Sequence, residues 1–294
     1  MRARIESLGI SASLGGLLRK RGSVDHAVIA GRHCLGTSRY APSDVNILIN
    51  SGVYRDKHIG EPAMATFVQR RLKINPEFHK QKTFSFDVIN GGCGMLSAFS
   101  ILTQMIGSGA IRLGMVVSSD CNPDRDPDPN YAYRPSGTAA LVDISPDADR
   151  GFGRFVFDYF PEHSDLYTAV VDINEKRGKI RIFQDEKLMD AYLSAAPTTF
   201  DKLLKAESLD RQDIDYVIPS QISPEFIARL STALSISPTK VLDCTRILKA
   251  DTFTTSAFLS LYHAQRSKSI VAGNRIVFLT FGSGVTVGSA VYYL

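Results

Sequence analysis

The chain repeats itself. PSDVNILINSG (42–52) and RQDIDYVIPSQ (211–221) share an acidic turn followed by a strand that runs into a polar loop. About forty residues beyond the first stands FDVINGGCGMLSAF, and a similar distance beyond the second stands LDCTRILKADTFTTSAFLSL. Each half then closes on two apolar strands around a glycine-containing turn. A chain patterned this way folds as a duplication, with halves expected at 1–147 and 148–294.

Short Val- and Ile-rich runs alternate with longer helical patterns, which points to an α/β protein with mostly buried strands. The N-terminus alternates apolar and polar residues as a first strand. Further strands are expected at 46–52, 84–90, 112–120, 138–145, 215–221, 240–245, 275–282 and 286–294. Helices are expected near 22–36, 62–74, 94–107, 187–207, 223–235 and 255–267. Between them, 120–137 is rich in Pro, Asp and Asn and reads as a long irregular loop.

Composition narrows the partners. An apolar fraction of 44% and a charged fraction of 22% are those of a soluble globular protein. No stretch approaches the roughly 20 apolar residues of a membrane span. The net charge of +4 comes without a basic stripe interleaved with aromatics, so nucleic acid is not an expected partner. The four cysteines, Cys34, Cys93, Cys121 and Cys244, show neither paired spacing nor histidines spaced for zinc. A reducing, cytoplasmic setting without disulfide or metal is expected.

Cys93 stands apart, because INGGCGML sets it between glycines, after an apolar strand and at the start of a helix. Glycine lets backbone and substrate approach closely. Unpaired N–H groups and the dipole at the helix start are expected to stabilise a thiolate and lower its pKa. A thiolate attacks a thioester, and a nearby backbone N–H holds the oxyanion that forms. FGSGVTVGSA (281–290) supplies a second glycine-rich turn able to present such a group. A buried cysteine serving only as a small core residue is the alternative.

These motifs resemble the ketoacyl synthase III branch of the thiolase superfamily. The resemblance rests on INGGCGML, SGTAALVDIS, DYVIPSQ and FLTFGSGVTVGSAVYYL and covers nearly the whole chain. It implies a five-layered αβαβα duplication, a dimer paired through the 84–90 strand, and an acyl group loaded onto Cys93. Backbone N–H groups of Cys93 and Ser283 would form the oxyanion hole. The substrates would be thioesters of acyl carrier protein or coenzyme A, with no further cofactor.

Two departures qualify what the resemblance implies. Ser220 stands where the family places a histidine, and Thr254 where it places an asparagine. Neither hydroxyl has an imidazole's acid–base range near neutral pH. The segment between the first helix and the next strand is short, which weakens nucleotide recognition and favours a carrier protein. Arg19, Lys20, Arg21, Arg70, Arg71 and Lys73 would meet that acidic partner, or are simply solvated helix faces. His58, in a loop after a strand end, is a candidate base; Asp120 and Cys121 border the pocket or only bond backbone. Three functions remain open on these residues: an acyltransferase acting through Cys93, a decarboxylative synthase with substituted residues, and a silent subunit paired with a competent homologue.

Overall fold

The computed structural model describes residues 2–12, 21–77, 82–174 and 178–294; Arg19 and Lys20 lie outside them. One five-stranded sheet has the order β1 (Ala3–Ala12), β5 (Ser136–Ile144), β4 (Leu113–Asp120), β2 (Ile47–Asn50), β3 (Phe84–Asp87). A four-stranded sheet has the order β6 (Gly151–Tyr159), β11 (Thr286–Tyr293), β10 (Arg275–Gly282), β9 (Tyr216–Pro219). Strands β6, β11, β10 and β9 correspond in order to β1, β5, β4 and β2, and β3 has no counterpart in the smaller sheet. In each sheet the last two strands of the half pair antiparallel, the earlier short strand runs parallel beside them, and the first strand of the half lies at the other edge. A separate hairpin joins β7 (Tyr167–Asp172) to β8 (Lys179–Gln184).

Helices divide among three layers because their apolar faces have different partners. On the outer face of the first sheet, α1 (Ser23–Thr37) and α2 (Met64–Leu72) bury Val28, Ala30, Val68 and Leu72 against Leu48, Met115 and Leu141. Between the sheets lie α3 (Gly94–Gly107) and α7 (Ser256–Arg266), which bring Phe99, Leu102, Phe258 and Leu261 against Val116, Ile218 and Phe278. The second sheet's outer face takes α4 (Leu188–Glu207) and α5 (Pro224–Ala233), with Phe200, Leu203 and Phe226 against Val217 and Leu279. Helix, sheet, helix, sheet, helix is the five-layered α/β architecture. Among the described residues no helix is long and apolar enough to cross a membrane.

The two α1 and α2 starts are closed by the chain's own carboxylates. Asp56 accepts the N–H groups of Ser23 at 2.6 Å and Val24 at 3.1 Å. Asp87 accepts those of Met64 at 2.8 Å and Ala65 at 2.9 Å, and pairs with Arg55 at 3.0 Å. Each satisfies orphan donors of a first turn.

One expected strand is absent. Residues 240–245 give a single bridge, Val217 to Val241, and then the one-turn helix α6 (Thr245–Leu248). The Gln221 side chain takes the backbone bonds a continuing ladder would make: its amide donates to Leu242 O at 3.0 Å and accepts from Cys244 N at 2.7 Å. Asp243 then accepts the Thr245 N–H at 2.9 Å and turns the chain into α6. Strands β6 to β8, in contrast, are elements the apolar pattern did not announce.

Phe99 anchors the middle layer, fully buried, with ring centroids 4.7 Å from Phe258 and 5.1 Å from Phe152. Truncating it opens a cavity between both sheets. Phe99→Ala is expected to cost about 3–5 kcal/mol in urea unfolding; a loss below about 1 kcal/mol would show that the layer is not packed as described.

Candidate active site

The elbow around Cys93 is built against the turn that joins β10 to β11. Gly91 adopts φ +49°, and a methyl group on it would stand 3.2 Å from Gly282 Cα and 3.4 Å from Ser283 N. On Gly92 the same group would lie 2.2 Å from the Phe281 carbonyl oxygen, a distance no side chain tolerates. From the other side, a methyl on Gly282 would meet Asn90 O at 3.1 Å and Cys93 Sγ at 3.7 Å. The glycines on both strands of this contact are therefore steric requirements.

Cys93 is the residue from which α3 springs, as the repeat of strand, glycines and helix implied. The expected low thiol pKa is corrected by the structure. Cys93 is wholly buried, and its thiol faces the backbone carbonyls of Thr280 at 3.3 Å and Thr286 at 3.6 Å. Burial pushes the thiol above its ordinary 9.0 to about 12. Desolvation of the charged form outweighs the helix end, which points only a partial charge at the sulfur. The Cys93 N–H, expected in the oxyanion hole, donates to Asn90 O at 2.9 Å. Ser283 lies at the glycine turn beside Gly91, its backbone nitrogen 3.4 Å from the position a Gly91 methyl would take. All four cysteines are buried thiols outside any disulfide.

Ser220 is beside the elbow, its Oγ 3.9 Å from the position a Gly92 methyl would take. That hydroxyl accepts the Phe281 N–H at 3.2 Å, so it completes the sheet where β9 has ended. Thr254 precedes α7, and its hydroxyl donates to Asp120 Oδ2 while lying 2.5 Å from Ser118 Oγ. Thr254 is thus occupied by a carboxylate of its own chain. His58 is placed elsewhere: its Nε2 lies 2.9 Å from Asp124 Oδ1, whose other oxygen accepts the Ile180 N–H. The ring lines a cavity of about 160 Å³ with Tyr54, Arg55, Val170 and Val171, under the β7–β8 hairpin. It ties loops together there, and it is not among the groups packed on Cys93.

A cluster that sequence reasoning missed surrounds the Thr254 loop. The Tyr54 and Tyr167 hydroxyls are 2.5 Å apart, and Tyr133 donates to Tyr167 at 3.2 Å. Phe253 stacks on Tyr133 with centroids 4.5 Å apart, and Tyr131 packs edge-on to Tyr54 at 4.9 Å. Asp120 accepts the N–H groups of Val53 at 2.8 Å and Tyr54 at 2.9 Å, and burial holds its carboxyl above the usual range. Asp251 accepts the Phe253 N–H at 2.8 Å. Tyr192 packs its ring 5.4 Å from Phe281, and burial raises its phenol above the ordinary value. The signal available in sequence was the density of tyrosines in NYAYRPSG and an aspartate three residues before Thr254.

Because burial favours the neutral Cys93 thiol, the stability this gives is complete below pH 9, where folded and unfolded chains both hold the proton. It is lost as pH rises toward 12. In urea unfolding, Cys93→Ala is therefore expected to gain on the unaltered protein by about 2 kcal/mol between pH 7.5 and 10.5. An unchanged difference across that interval would contradict the buried thiol.

Comparison with known proteins agrees with this geometry. Residues 204–294 match the family described as 3-oxoacyl-[acyl-carrier-protein (ACP)] synthase III C terminal. The β-ketoacyl-[acyl-carrier-protein] synthase III of Actinobacillus succinogenes is 23% identical over 284 residues, covering 94% of this chain and 87% of the relative. The 3-oxoacyl-(acyl carrier protein) synthase III of Pseudomonas aeruginosa superposes with a TM-score of 0.83 at 17% identity, over 100% of this chain and 98% of that one. A Xanthomonas campestris OleA structure with bound lauric acid and lauroyl-CoA gives 0.85 at 19% identity, over 100% and 99%. The structural likeness establishes the fold, a thiolase-type α/β architecture, and over most of its length the chain is similar in sequence to β-ketoacyl-[acyl-carrier-protein] synthase III.

Proposed function

We propose that the protein is an acyltransferase that accepts an acyl group from a carrier-protein or coenzyme A thioester onto Cys93 and passes it to an acceptor. The observation that carries this reading is the retained seating of the Gly91–Cys93 elbow on the Gly282–Ser283 turn. A merely structural cysteine does not need glycine on both sides of the contact. Decarboxylative condensation has less support, because Ser220 and Thr254 already serve Phe281 and Asp120. Removing one oxyanion-type donor typically costs about 10²–10³ in rate, so malonyl thioester decarboxylation is expected to be slower than an intact synthase by at least that factor. Carrier protein is the favoured donor, on the shortness of the segment between the first helix and the next strand. A specialised biosynthetic pathway is the setting that an altered synthase fits.

A second reading, a silent subunit that stabilises a competent homologue, is favoured by one observation: the thiol is sealed and held neutral. Incubation with an acyl carrier thioester separates the two. One acyl mass added to the protein and lost in Cys93→Ala is the result expected; a folded protein that takes up no acyl group from any thioester supports the silent role.

Assembly belongs to the same proposal. Strand β3 is the free edge of its sheet, with Phe84 65% and Ile89 57% exposed beside it. An unpaired edge flanked by large apolar side chains suits antiparallel pairing with a second copy. Sedimentation at micromolar concentration is expected to give a dimer, and Phe84→Lys to weaken it; a stable monomer of the unaltered chain contradicts it.

A further inference from the structure

Among the described residues the β7–β8 hairpin pairs with no other strand, and a lone two-stranded ribbon is marginal in water. Side chains of the body hold it in place. The Tyr54 and Tyr167 hydroxyls meet at 2.5 Å, the Ile180 N–H donates to Asp124 Oδ2 at 2.9 Å, and Asn130 Nδ2 donates to Ile182 O at 3.1 Å. Beneath the hairpin lies the cavity of about 160 Å³. Its roof is thus anchored, and the space is preformed. The walls are aliphatic, from Val53, Ile59, Val171 and Ile180, with Ala169 on the roof. Three polar residues, Tyr54, Arg55 and His58, complete the lining.

Among the described residues no acid lines this space, and Arg55 is the lining residue that carries a fixed charge. Its Nη2 stands 3.0 Å from Asp87 and its Nη1 donates to Ile59 O at 3.5 Å. The other guanidinium N–H groups make no bond among the described residues. Asp87 does not consume the cation, because it also accepts the Met64 and Ala65 N–H groups and, at 3.3 Å, Asn50 Nδ2. Beside Arg55, Lys57 and His58 are both left-handed, at φ +54° and +56°. Residues other than glycine hold that conformation only where their surroundings enforce it. Here the enforcing contact is His58 Nε2 on Asp124 at 2.9 Å, which keeps the ring at the cavity wall.

We propose that this cavity is a binding site for a small apolar carboxylate, with its carboxyl on Arg55 and its body against Val171 and Ile180. A guanidinium at one end of an aliphatic chamber selects an anion with an apolar body. Size sets the limit. An apolar protein cavity of about 150 Å³ takes up benzene, so the 160 Å³ here suits a body of about six carbon atoms. A long acyl chain or a coenzyme A arm is too large for it. Aliphatic walls also disfavour a phosphate dianion, whose lost hydration they cannot replace. No step of the proposal passes through Cys93, so it stands or falls apart from acyl transfer.

The test is calorimetric titration of the full chain with sodium benzoate, with benzyl alcohol as a neutral body of similar size. Saturable binding of benzoate at about 1 mM or tighter is expected, with benzyl alcohol about tenfold weaker or more. Arg55→Gln should bring benzoate down to the affinity of the alcohol. Ala169 is exposed, so Ala169→Phe fills the cavity from its roof without repacking the core, and it should abolish binding. That variant carries the test if Arg55→Gln, which loses the pair with Asp87, does not fold. No saturable heat with benzoate, equal affinity for benzyl alcohol, or unchanged binding in either variant overturns the site. Sedimentation of Ala169→Phe addresses the other occupant. Unchanged assembly supports the small-molecule site, whereas a weakened dimer assigns the cavity to a second copy and overturns it.

Discussion

The fold and the site meet at one steric contact, the seating of Gly92 on the carbonyl of Phe281. Backbone touches backbone there, with no room for a side chain between. The elbow belongs to the first half of the chain and the β10–β11 turn to the second. Their contact therefore fixes how the sheets stand relative to each other at the place where the nucleophile emerges. The layer of α3 and α7 has to be thin enough, and its phenylalanines close enough, to allow that approach. A packed middle layer and a glycine-only contact are one requirement seen from two distances.

Much of this was legible in the sequence, because it is local. Helix α3 falls on 94–107 as its apolar spacing required, and the repeat announced two sheets of like connectivity. The segment 240–245 misled, because its apolar run reads as a strand while a distant side chain, Gln221, takes the bonds a strand would make. The thiol's protonation was also out of reach. A helix start and neighbouring glycines are visible in sequence, but the carbonyls of Thr280 and Thr286 that surround the sulfur come from nearly two hundred residues away. The tyrosine cluster is assembled from residues 54, 131, 133, 167 and 192, drawn from four separate stretches of the chain, so no window of sequence contains it.

Hydroxyls occupy the positions where the resemblance implied a histidine and an asparagine, and the structure shows each doing sheet or loop work. The polarity has moved rather than disappeared. It has gathered on Asp120, Asp251 and the phenols around the Thr254 loop, where burial raises both carboxyls. In such a medium, charge and proton affinity are set by neighbours rather than by residue type. Reading the site by matching residues one for one with a family pattern describes the loss and overlooks the relocation.

The capped starts of α1 and α2 have a consequence for recognition. A helix N-terminus gathers phosphate because its N–H groups and dipole are positive. Here the carboxyl groups of Asp56 and Asp87 already occupy those ends, and Arg55 pairs with Asp87 besides. A diphosphate approaching either helix would find its first donors taken. Both helix starts are thus closed to a phosphate group by donors already spent within the chain, and any phosphate-bearing ligand would have to be held by other groups.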